Sequence, residues 1–418
     1  MIDTIEIRNF KSIEQVNIPL GRINVFIGEN GAGKSNLLEA IALAGAANAG
    51  KLDNEFLMSR GIRVTQPQLM RPRFDGFSED DPIEVSIKSS DLEIDFKIQN
   101  DNLPYSNWSH TSSRSNISEQ DFVSTGLKNF INSSTDNNAI FESAMKVFMG
   151  RIKRNMKTSK TKSKPPTEKH ESWEIEPNLV NASKISKLME DLHNDYKSAP
   201  KEIDNFVIYS PENTSLRTFE KEGQIEPLGV NGEGLLKLLE VLSGSEDQST
   251  MQQIDKALKL LGWFKSLKIN TGSSTLPAGL EVHDKFLAQD WSKLDQKSVN
   301  EGFFFLLFYS SLFASNLTPD FFAIDNIDAS LNPKLCSKLM IALNDLSKEN
   351  NKQVLLTTHN PAILDGLNIN DDDQRLFVIT RDLDGCTQVS RINSKGDSEY
   401  KLSEMFMRGL LGGLPKRF

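Results

Sequence analysis

The string that most constrains this chain is Gly28 to Ser35, GENGAGKS, which fits the pattern G-x-x-x-x-G-K-[ST]. The residues before it, Arg22 to Gly28, form an apolar run that is typical of a strand covered on both faces. Residues 34–46 after it carry apolar side chains at helical spacing. The pattern therefore lies between a buried strand and an amphipathic helix, which is the context that it requires.

The chemistry of this loop follows from its glycines and its last two residues. Glycines let the backbone curl so that several N–H groups converge on phosphate oxygens, and the helix N-terminus adds partial positive charge. Lys34 can reach the β and γ phosphates of ATP, and the Ser35 hydroxyl can ligate Mg²⁺. The predicted nucleotide contacts of this segment are Asn30, Gly31, Gly33, Lys34, Ser35 and Asn36. The alternative is a glycine-rich turn with an exposed lysine.

The C-terminal third alternates strand and helix patterns. A strand pattern comes first, FFAID, followed by a helical segment over Pro333–Lys348. Two further strand patterns follow, QVLLTTH and RLFVIT, and this alternation is typical of a parallel sheet. Asp325 ends the first of these strands, at the sheet edge where ligands bind in such folds. Because one carboxylate, a hydroxyl and phosphates suit Mg²⁺, we predict Ser35 and Asp325 as its ligands. The alternative for Asp325 is a cap on the next turn.

The residue after Asp325 is Asn326, where many ATPases place a glutamate that activates the attacking water. An amide can orient a water molecule but cannot accept its proton. Asp328 lies two residues further on and can substitute if the geometry allows. We therefore predict slow hydrolysis, with Asn326 and Asp328 as candidate catalytic residues.

His359 ends the strand VLLTTH and is one of only five histidines in the chain. An imidazole at this sheet edge can hydrogen-bond the γ-phosphate or the attacking water, so His359 is a third catalytic candidate. The alternative, a satisfied structural histidine, is the commoner fate of a lone histidine at a strand end.

With these residues identified, the chain resembles the ABC-type ATPase heads of the RecF/SMC/OLD-like class, often labelled AAA-type ATPases of phage-defence systems. Four pieces match in order: Ile7-Arg8-Asn9-Phe10-Lys11-Ser12, the Walker A motif at 28–35, the Walker B end at Ile324-Asp325, and Thr358-His359-Asn360-Pro361. The matches span residues 1–50 and 205–395. The resemblance implies an α/β fold, a P-loop head with a mixed sheet and an antiparallel β-lobe. It also implies adenine contacts around Asn9, Phe10 and Lys11.

Ser298-Val299-Asn300-Glu301-Gly302 resembles the signature loop of that family. In the family, ATP lies between two heads, and Walker A of one head faces the signature loop of the other. The resemblance therefore implies a homodimer or higher homo-oligomer in which Asn300, Glu301 and Gly302 contact the partner's nucleotide. Asn300 stands where the family has serine, a departure expected to weaken this contact. The alternative is a buried helix preceded by a glycine turn.

At 418 residues with a net charge of -9, the chain is too long for one ordinary core. We expect an ATPase head over 1–100 and 203–418, interrupted by an inserted helical and basic arm over 101–202. Asn100 to Ser118 is predicted to be a loop. Residues 151–169 carry eight Lys and Arg and one acid. This tract is either a solvated linker or a surface that contacts DNA or a partner.

Two cysteines exclude a disulfide framework, and no segment has the pattern of a signal peptide or membrane span, so we expect a cytoplasmic protein. The short stretch after His359 leads us to expect no nuclease domain. Its Arg381-Asp382-Leu383-Asp384-Gly385 segment is predicted to be a hairpin turn in which Gly385 supplies the positive φ.

These features favour an ATP-binding, slowly hydrolysing sensor or scaffold subunit in bacterial anti-phage defence. It would gate a separate effector, a nuclease, in the manner of the PARIS-, Septu- and retron-associated ATPases that it resembles. The first alternative is a RecF-like DNA-repair ATPase that binds DNA in an ATP-dependent way. The second is an interaction module that binds nucleotide without turning it over.

Overall fold

The fold is taken from a computed structural model of the chain. The described residues are 1–74, 80–90, 92–103, 106–116, 201–218, 226–270, 279–288, 293–393 and 399–414. Contacts divide the chain into one compact unit, residues 1–115 with 199–418, and a second unit, residues 116–198. Beyond Asn116 the second unit lies outside the described residues. The predicted helices of the arm and its basic tract therefore lie outside them too.

A six-stranded sheet, here called the central sheet, forms the middle of the first unit. Its strands are, in spatial order, β14 (Thr387–Ile392), β13 (Gln374–Arg381), β3 (Ile23–Gly28), β12 (Gln353–Thr357), β11 (Phe321–Ile324) and β7 (Ile208–Tyr209). Five of them run parallel, and β14 is antiparallel to β13. β3, β11 and β12 are buried along their whole length, because apolar clusters cover both faces. The predicted mixed sheet is confirmed.

A five-stranded antiparallel sheet forms the predicted β-lobe. Its strands are, in spatial order, β2 (Ile13–Pro19), β1 (Ile2–Phe10), β4 (Ile83–Ser89), β5 (Leu92–Gln99) and β6 (Ser109–Asn116). Apolar and polar residues alternate in IEVSIK and LEIDFKI, which predicts a hairpin, and β4 and β5 form it. The loop predicted over 100–118 is wrong in its second half, because β6 occupies it. The sequence of β6, SHTSSRSN, has no apolar residue, so it gave no periodic signal for an edge strand.

Helices cover both faces of the central sheet. The described helices are α1 (Lys34–Asn48), α2 (Asn54–Ser59), α3 (Lys201–Asp204), α4 (Asn213–Leu216), α5 (Leu235–Ser243), α6 (Ser249–Leu258), α7 (Glu301–Ala314), α8 (Pro333–Glu349), α9 (Pro361–Leu364) and α10 (Leu402–Met407). α1 packs with the β-lobe on one face. α7 is buried from Phe303 onwards and belongs to the cluster on the other face. None of the described helices is both long and apolar enough to cross a membrane.

A small antiparallel sheet lies next to the helical cluster on that second face. It consists of β8 (Phe264–Asn270), β9 (Gly279–Asp284) and β10 (Lys293–Asp295). Apolar residues at helical spacing over 233–268 predict helix, which is correct for α5 and α6 but wrong from Phe264 onwards. In β8 the residues packed on the cluster are Phe264, Leu267 and Ile269, and a bulge between Phe264 and Ser266 breaks the period-2 pattern of a strand. The turn before β14 is a hairpin with Gly385 at φ 85°, as predicted.

Candidate nucleotide-binding site

The loop between β3 and α1 keeps its shape because two glycines occupy positions with no room for a side chain. A Cβ atom at Gly28 would lie 2.2 Å from the carbonyl oxygen of Ile379, and one at Gly33 would lie 2.2 Å from Oγ1 of Thr387. Gly33 also has a φ of 114°, which L side chains rarely adopt. Gly31, at the exposed tip, has open space around it. The loop is fixed at both ends and open at its tip, where a ligand would approach.

Lys34 is the first residue of α1, and only 6% of its surface is exposed. Its Nζ donates hydrogen bonds to the carbonyl oxygens of Gly28 at 2.8 Å and Glu29 at 2.9 Å. Burial lowers the pKa of Lys34 to about 8, and the nearby carboxylates of Asp325 and Glu29 oppose that shift. The ammonium therefore lies beneath the loop as a cation that is sensitive to pH in a mildly alkaline range.

Ser35 and Asp325 meet at the carboxyl edge of the central sheet. Ser35 Oγ donates to Oδ2 of Asp325 at 3.0 Å, and the Thr357 hydroxyl donates to the other carboxylate oxygen. A hydroxyl and a carboxylate at this separation match the oxygen ligands that Mg²⁺ takes, with phosphate and water oxygens to complete its shell. The two residues predicted as metal ligands are thus brought together, and their donor set fits Mg²⁺.

Asn326 follows Asp325 with a φ of 57°, a conformation that asparagine adopts more readily than most residues. Its backbone N–H donates to Thr357 Oγ1 at 2.9 Å, and its side chain is exposed. The sheet edge therefore presents an amide, and not a carboxylate, directly after Asp325.

Asp328, the second catalytic candidate, is partly buried. Its Oδ1 accepts a hydrogen bond from the Thr358 hydroxyl at 2.6 Å. Burial, together with the Asp328 charge, raises the pKa of Cys336 to about 11 and also raises the pKa of Tyr309. The Asp328 carboxylate therefore faces these two buried groups, and one of its oxygens is already engaged.

His359 follows β12 and keeps much of its side chain exposed. Withdrawal of the rest from water lowers its pKa, and the Lys34 ammonium lowers it further, while Asp328 and Asp325 act in the opposite direction. The imidazole is therefore neutral at pH 7 and can either donate or accept a hydrogen bond. These interactions place Lys34, Ser35, Asp325 and His359 at one sheet edge, as the sequence predicted.

The predicted adenine contacts are engaged within the protein. Nδ2 of Asn9 donates to the carbonyl oxygen of Pro82 at 3.2 Å, and the Lys11 ammonium forms an ion pair with the buried Glu39 of α1. Phe10 has no exposed surface. A contact from Phe10 to a base would therefore have to come from its backbone, whereas Asn9 and Lys11 would have to exchange existing bonds.

A chain of hydroxyls behind the loop was not predicted. Nδ2 of Asn36 donates to Ser12 Oγ at 2.7 Å, Ser12 Oγ lies 2.7 Å from Thr387 Oγ1, and Thr387 donates to the Ala32 carbonyl at 2.9 Å. It links the β1–β2 turn, the phosphate-binding loop, α1 and β14. Thr387 lies in the last third of the sequence and carries no motif, so only the fold could reveal it.

Thr357 and Arg381 were also missed. Thr357 bonds both the Asp325 side chain and the Asn326 backbone, as described above. Nε of Arg381 donates to the carbonyl oxygen of Gly31 at 2.8 Å and so anchors the loop tip from β13. The sequence signal for Thr357 was its place at the end of a buried strand, whereas Arg381 was assigned only to a turn.

The signature-like loop lies at the exposed start of α7. Asn300 caps this helix, since its Oδ1 accepts from the backbone N–H of Phe303 at 3.0 Å. A Glu301 carboxylate oxygen accepts from Ser330 Oγ at 2.5 Å, and Gly302 packs beside the Ser330 carbonyl. Among the described residues, no hydrogen bond joins this loop to the lysine, serine and aspartate at the sheet edge of its own chain.

The known sequence families that match this chain cover both halves of the candidate site. The family described as an AAA domain matches residues 4–261, more than half of the 418 residues. The chain belongs to the AAA domain family. A second family, whose description names an AAA domain, the AbiEii toxin and a Type IV TA system, matches residues 303–365 of this AAA-domain protein.

Curated relatives match short parts of this AAA-domain protein. An uncharacterized protein of Methanocaldococcus jannaschii is 43% identical over 67 residues, 15% of this chain and 31% of that protein. The OLD nuclease of Thermus scotoductus is 40% identical over 43 residues, 10% of this chain and 8% of the nuclease. The matched region thus spans about a third of the first relative and less than a tenth of the second.

A crystal structure of an SMC head, bound to the C-terminal winged-helix domain of ScpA, has the same fold. It superposes with a TM-score of 0.53 and 16% identity, covering 94% of this chain and 98% of that one. This AAA-domain protein therefore has an SMC-head-like α/β fold with mixed and antiparallel sheets. Its family is therefore that of AAA-domain ATPases, whose folds generally bind ATP with Mg²⁺.

Proposed function

We propose that this AAA-domain chain binds ATP and Mg²⁺ between two copies of itself, hydrolyses ATP slowly, and gates a separate effector in anti-phage defence. The effector class we propose is a nuclease, as for the PARIS-, Septu- and retron-associated ATPases. The observation that carries the nucleotide site is the 3.0 Å contact between Ser35 Oγ and Asp325, beside the buried Lys34 ammonium. It joins the two sequence motifs at one sheet edge.

Each residue at this edge has a task that follows from its chemistry. Lys34 would give up its bonds to loop carbonyls for phosphate oxygens, which are stronger acceptors because they are charged. Ser35 and Asp325 would hold Mg²⁺, which neutralises phosphate charge when bound. The Thr357 hydroxyl orients the Asp325 carboxylate, and so defines the direction of its free lone pairs.

Slow turnover is proposed because the residue directly after Asp325 has no carboxylate to accept a proton from water. The Asn326 amide can only orient water. Asp328 already accepts from Thr358 at 2.6 Å and faces buried groups. His359 is neutral at pH 7 and can stabilise a phosphate or accept a proton, so it carries whatever base function remains.

Pairing of two copies is proposed from the exposure of the signature-like loop. Asn300 and Glu301 lie in solvent at the N-terminus of a 14-residue helix, where backbone N–H groups favour an anion. Within the described part of a single chain, this loop makes no hydrogen bond to Lys34, Ser35 or Asp325. A second copy's triphosphate would supply the anion, so that pairing gains contacts only when nucleotide is present.

The defence role rests on two matches of limited extent. One is to the family whose description names the AbiEii toxin, over residues 303–365, and the other is to 8% of the OLD nuclease. Both are compatible with defence systems. Partner binding is supported by the SMC head, which was solved with a winged-helix domain bound to it.

The test compares two buried lysines at opposite ends of the parallel strands of the central sheet. Lys34→Met should weaken ATP binding at least about a hundredfold, because the buried cation for the phosphates is lost. Lys352→Met is the matched control, since Lys352 is 1% exposed and pairs with Asp320 at the opposite end of the parallel strands. It should leave ATP affinity unchanged in isothermal titration.

Protection from phage in cells that carry the native operon provides the functional readout. Lys34→Met should abolish protection, and a nuclease should copurify with the wild-type protein. Full protection by a variant that no longer binds ATP would disprove the proposed function. So would unchanged ATP affinity in Lys34→Met.

A DNA-processing ATPase is the second candidate, favoured by the eight basic residues in 151–169. It predicts that the protein binds duplex DNA only when ATP is present. The binding constant should fall steeply with salt, by about one power of the salt concentration for each phosphate that the protein neutralises. Fluorescence anisotropy at several salt concentrations would detect it. Absence of a copurifying effector would support this candidate over the first.

A further inference from the structure

Arg217 immediately follows α4 and binds the backbone segment that precedes α7. Its Nη1 donates to the carbonyl oxygens of Gln296 at 2.6 Å and Lys297 at 3.3 Å, and its Nη2 donates to that of Val299 at 2.8 Å. Its Nε donates to Oδ1 of Asn213 at 2.7 Å. All three guanidinium nitrogens are engaged, and three of the four bonds end on one short stretch of backbone.

The same guanidinium lies over the ring of Phe304, with Cζ 4.6 Å from the ring centroid. Phe304 belongs to α7 and has no exposed surface, so its position is set by the core. A planar cation stacked on a fixed ring has a fixed plane, and its N–H donors therefore have fixed directions. Arg217 thus defines the path by which the chain reaches the loop of Asn300 to Gly302.

The other end of this connection lies at the nucleotide edge. β7 ends at Tyr209, whose carbonyl oxygen accepts from the backbone N–H of Asp325 at 2.8 Å. Only residues 210–216 separate Tyr209 from Arg217, and this stretch is tied down. The backbone N–H of Ser210 donates to the carbonyl oxygen of Val230 at 2.7 Å, and α4 follows directly. A movement of the backbone at Asp325 can therefore be transmitted to Arg217 through this short, hydrogen-bonded segment.

We propose that Arg217 is a positioning residue that couples the Asp325 edge of the nucleotide site to the Asn300–Gly302 loop. The inference rests on the proposed ATP-dependent pairing of two copies. Arg217 touches no nucleotide itself. It holds the Asn300–Gly302 loop in one conformation, so that this loop can contact the triphosphate of a second copy without first becoming ordered.

Lysine cannot replace arginine in this role. A single ammonium cannot span the carbonyl oxygens of Gln296 and Val299 while bonding Asn213, and it lacks the planar fork that stacks on an aromatic ring. Arg217→Lys therefore keeps the charge and removes the geometry. Arg408→Ala is a matched control, because Arg408 also stacks on an aromatic ring, Tyr400 at 4.2 Å, in the exposed α10 region.

The experiment uses the full chain and three readouts. ATP affinity is measured by titration at a protein concentration at which the chain stays monomeric. ATP-dependent pairing is measured by analytical ultracentrifugation. Amide hydrogen exchange is followed in peptides that cover residues 295–303, with and without ATP and Mg²⁺. Thermal melting of each variant checks that it is folded.

We expect Arg217→Lys to bind ATP within about twofold of wild type, because the residues of the loop and sheet edge are unchanged. Pairing should weaken, and the 295–303 amides should exchange faster, each by about tenfold, the effect of losing one charge-assisted hydrogen bond. Protection of these amides by ATP should be lost. Arg408→Ala should match wild type in all three readouts.

Two results overturn the inference alone: wild-type pairing in Arg217→Lys, or an unchanged exchange rate over 295–303. A loss of ATP affinity as large as that of Lys34→Met would also overturn it, since Arg217 would then be needed for the nucleotide site as a whole. A wild-type protein that binds ATP but stays monomeric would overturn the proposed pairing itself, and the inference with it.

Discussion

In the five-stranded sheet, buried and partly exposed side chains alternate along β4, whereas β11 and β12 of the central sheet are buried from end to end. The two sheets consequently place their polar groups differently. The β-lobe carries charged pairs along its outer face, such as Lys97 with Glu84 at 2.7 Å. The central sheet carries polar groups where its strands end, at Asp325 and His359.

The two sheets therefore differ in how strongly the solvent weakens the interactions of their charged groups. Charges on the outer face of the β-lobe are solvated and screened, so their mutual attraction is weak. Groups at the carboxyl edge are partly withdrawn from water, and this burial is the main cause of the lowered pKa values of Lys34 and His359. The Lys34 ammonium lowers the pKa of His359 further. Four substitutions or conditions, taken from the largest expected effect to the smallest, test this contrast.

Phe322→Ala should show how strongly the central sheet depends on apolar packing. Phe322 has no exposed surface, and its ring centroid lies 5.2 Å from that of Phe313 and 6.0 Å from that of Tyr209. Truncation leaves a cavity, so the free energy of unfolding should fall by about 3–5 kcal/mol. Urea denaturation measures it, with Phe322→Leu as a volume-conserving control. A decrease in the free energy of unfolding of less than about 1 kcal/mol would show that the surrounding side chains fill the cavity. The central sheet would then depend less on apolar packing than we propose.

Asn326→Glu should raise ATP hydrolysis about a hundredfold, the lower range of what a positioned general base contributes. The φ of 57° at this position is less favourable for glutamate, so a modest loss of stability should accompany the gain. Phosphate release measures the rate. Asn326→Gln lengthens the side chain without adding a base, and equal rates for the two variants would refute the proton-acceptor argument.

ATP affinity should fall about tenfold between pH 7 and pH 9, because the Lys34 pKa of about 8 lies between them. A lowered lysine pKa means that the charged form is present below pH 8 and lost above it, and bound phosphates favour the charged form. Titration at constant ionic strength gives the profile. Lys34→Arg stays charged throughout and should lose the slope; a slope that persists in this variant would assign the titration to another group.

Lys97→Ala should leave the urea midpoint unchanged within error, because Lys97 is largely in solvent and its partner Glu84 is partly exposed. The same denaturation series that measures Phe322→Ala gives the comparison directly. A destabilisation that approaches that of the core variant would mean that the outer face of the β-lobe is covered by another part of the protein.

Prediction from sequence succeeded where the signal was local and failed where it was not. The strand–loop–helix around Lys34 and the β4–β5 hairpin follow from periodicity and residue type within short windows. So does the cap of α8, because Asn332 directly precedes Pro333 and asparagine followed by proline is typical of a helix start. β6 failed because an edge strand without apolar residues has no period to detect. β8 failed because a bulge interrupts its period-2 pattern and two helices lie just before it.

Within the site, the same division holds. Lys34, Ser35, Asp325 and His359 were identified because each ends or follows a buried strand in a recognisable string. The hydroxyl chain through Ser12 and Thr387 could not be identified in this way. Its members bond across 375 residues of sequence, and serine and threonine are too common for such a pair to be singled out.

The sequence by itself determined that this chain forms an α/β head with a phosphate-binding loop, because glycine spacing and buried-strand patterns are encoded in adjacent residues. Only the tertiary structure decided which side chains support that loop. Thr357, Arg381 and Thr387 acquire their partners from the parallel register of β11, β12, β3 and β13 and from the antiparallel pairing of β14. Such pairings are fixed by the packing of whole elements, whose hydrogen bonds join residues far apart in the chain.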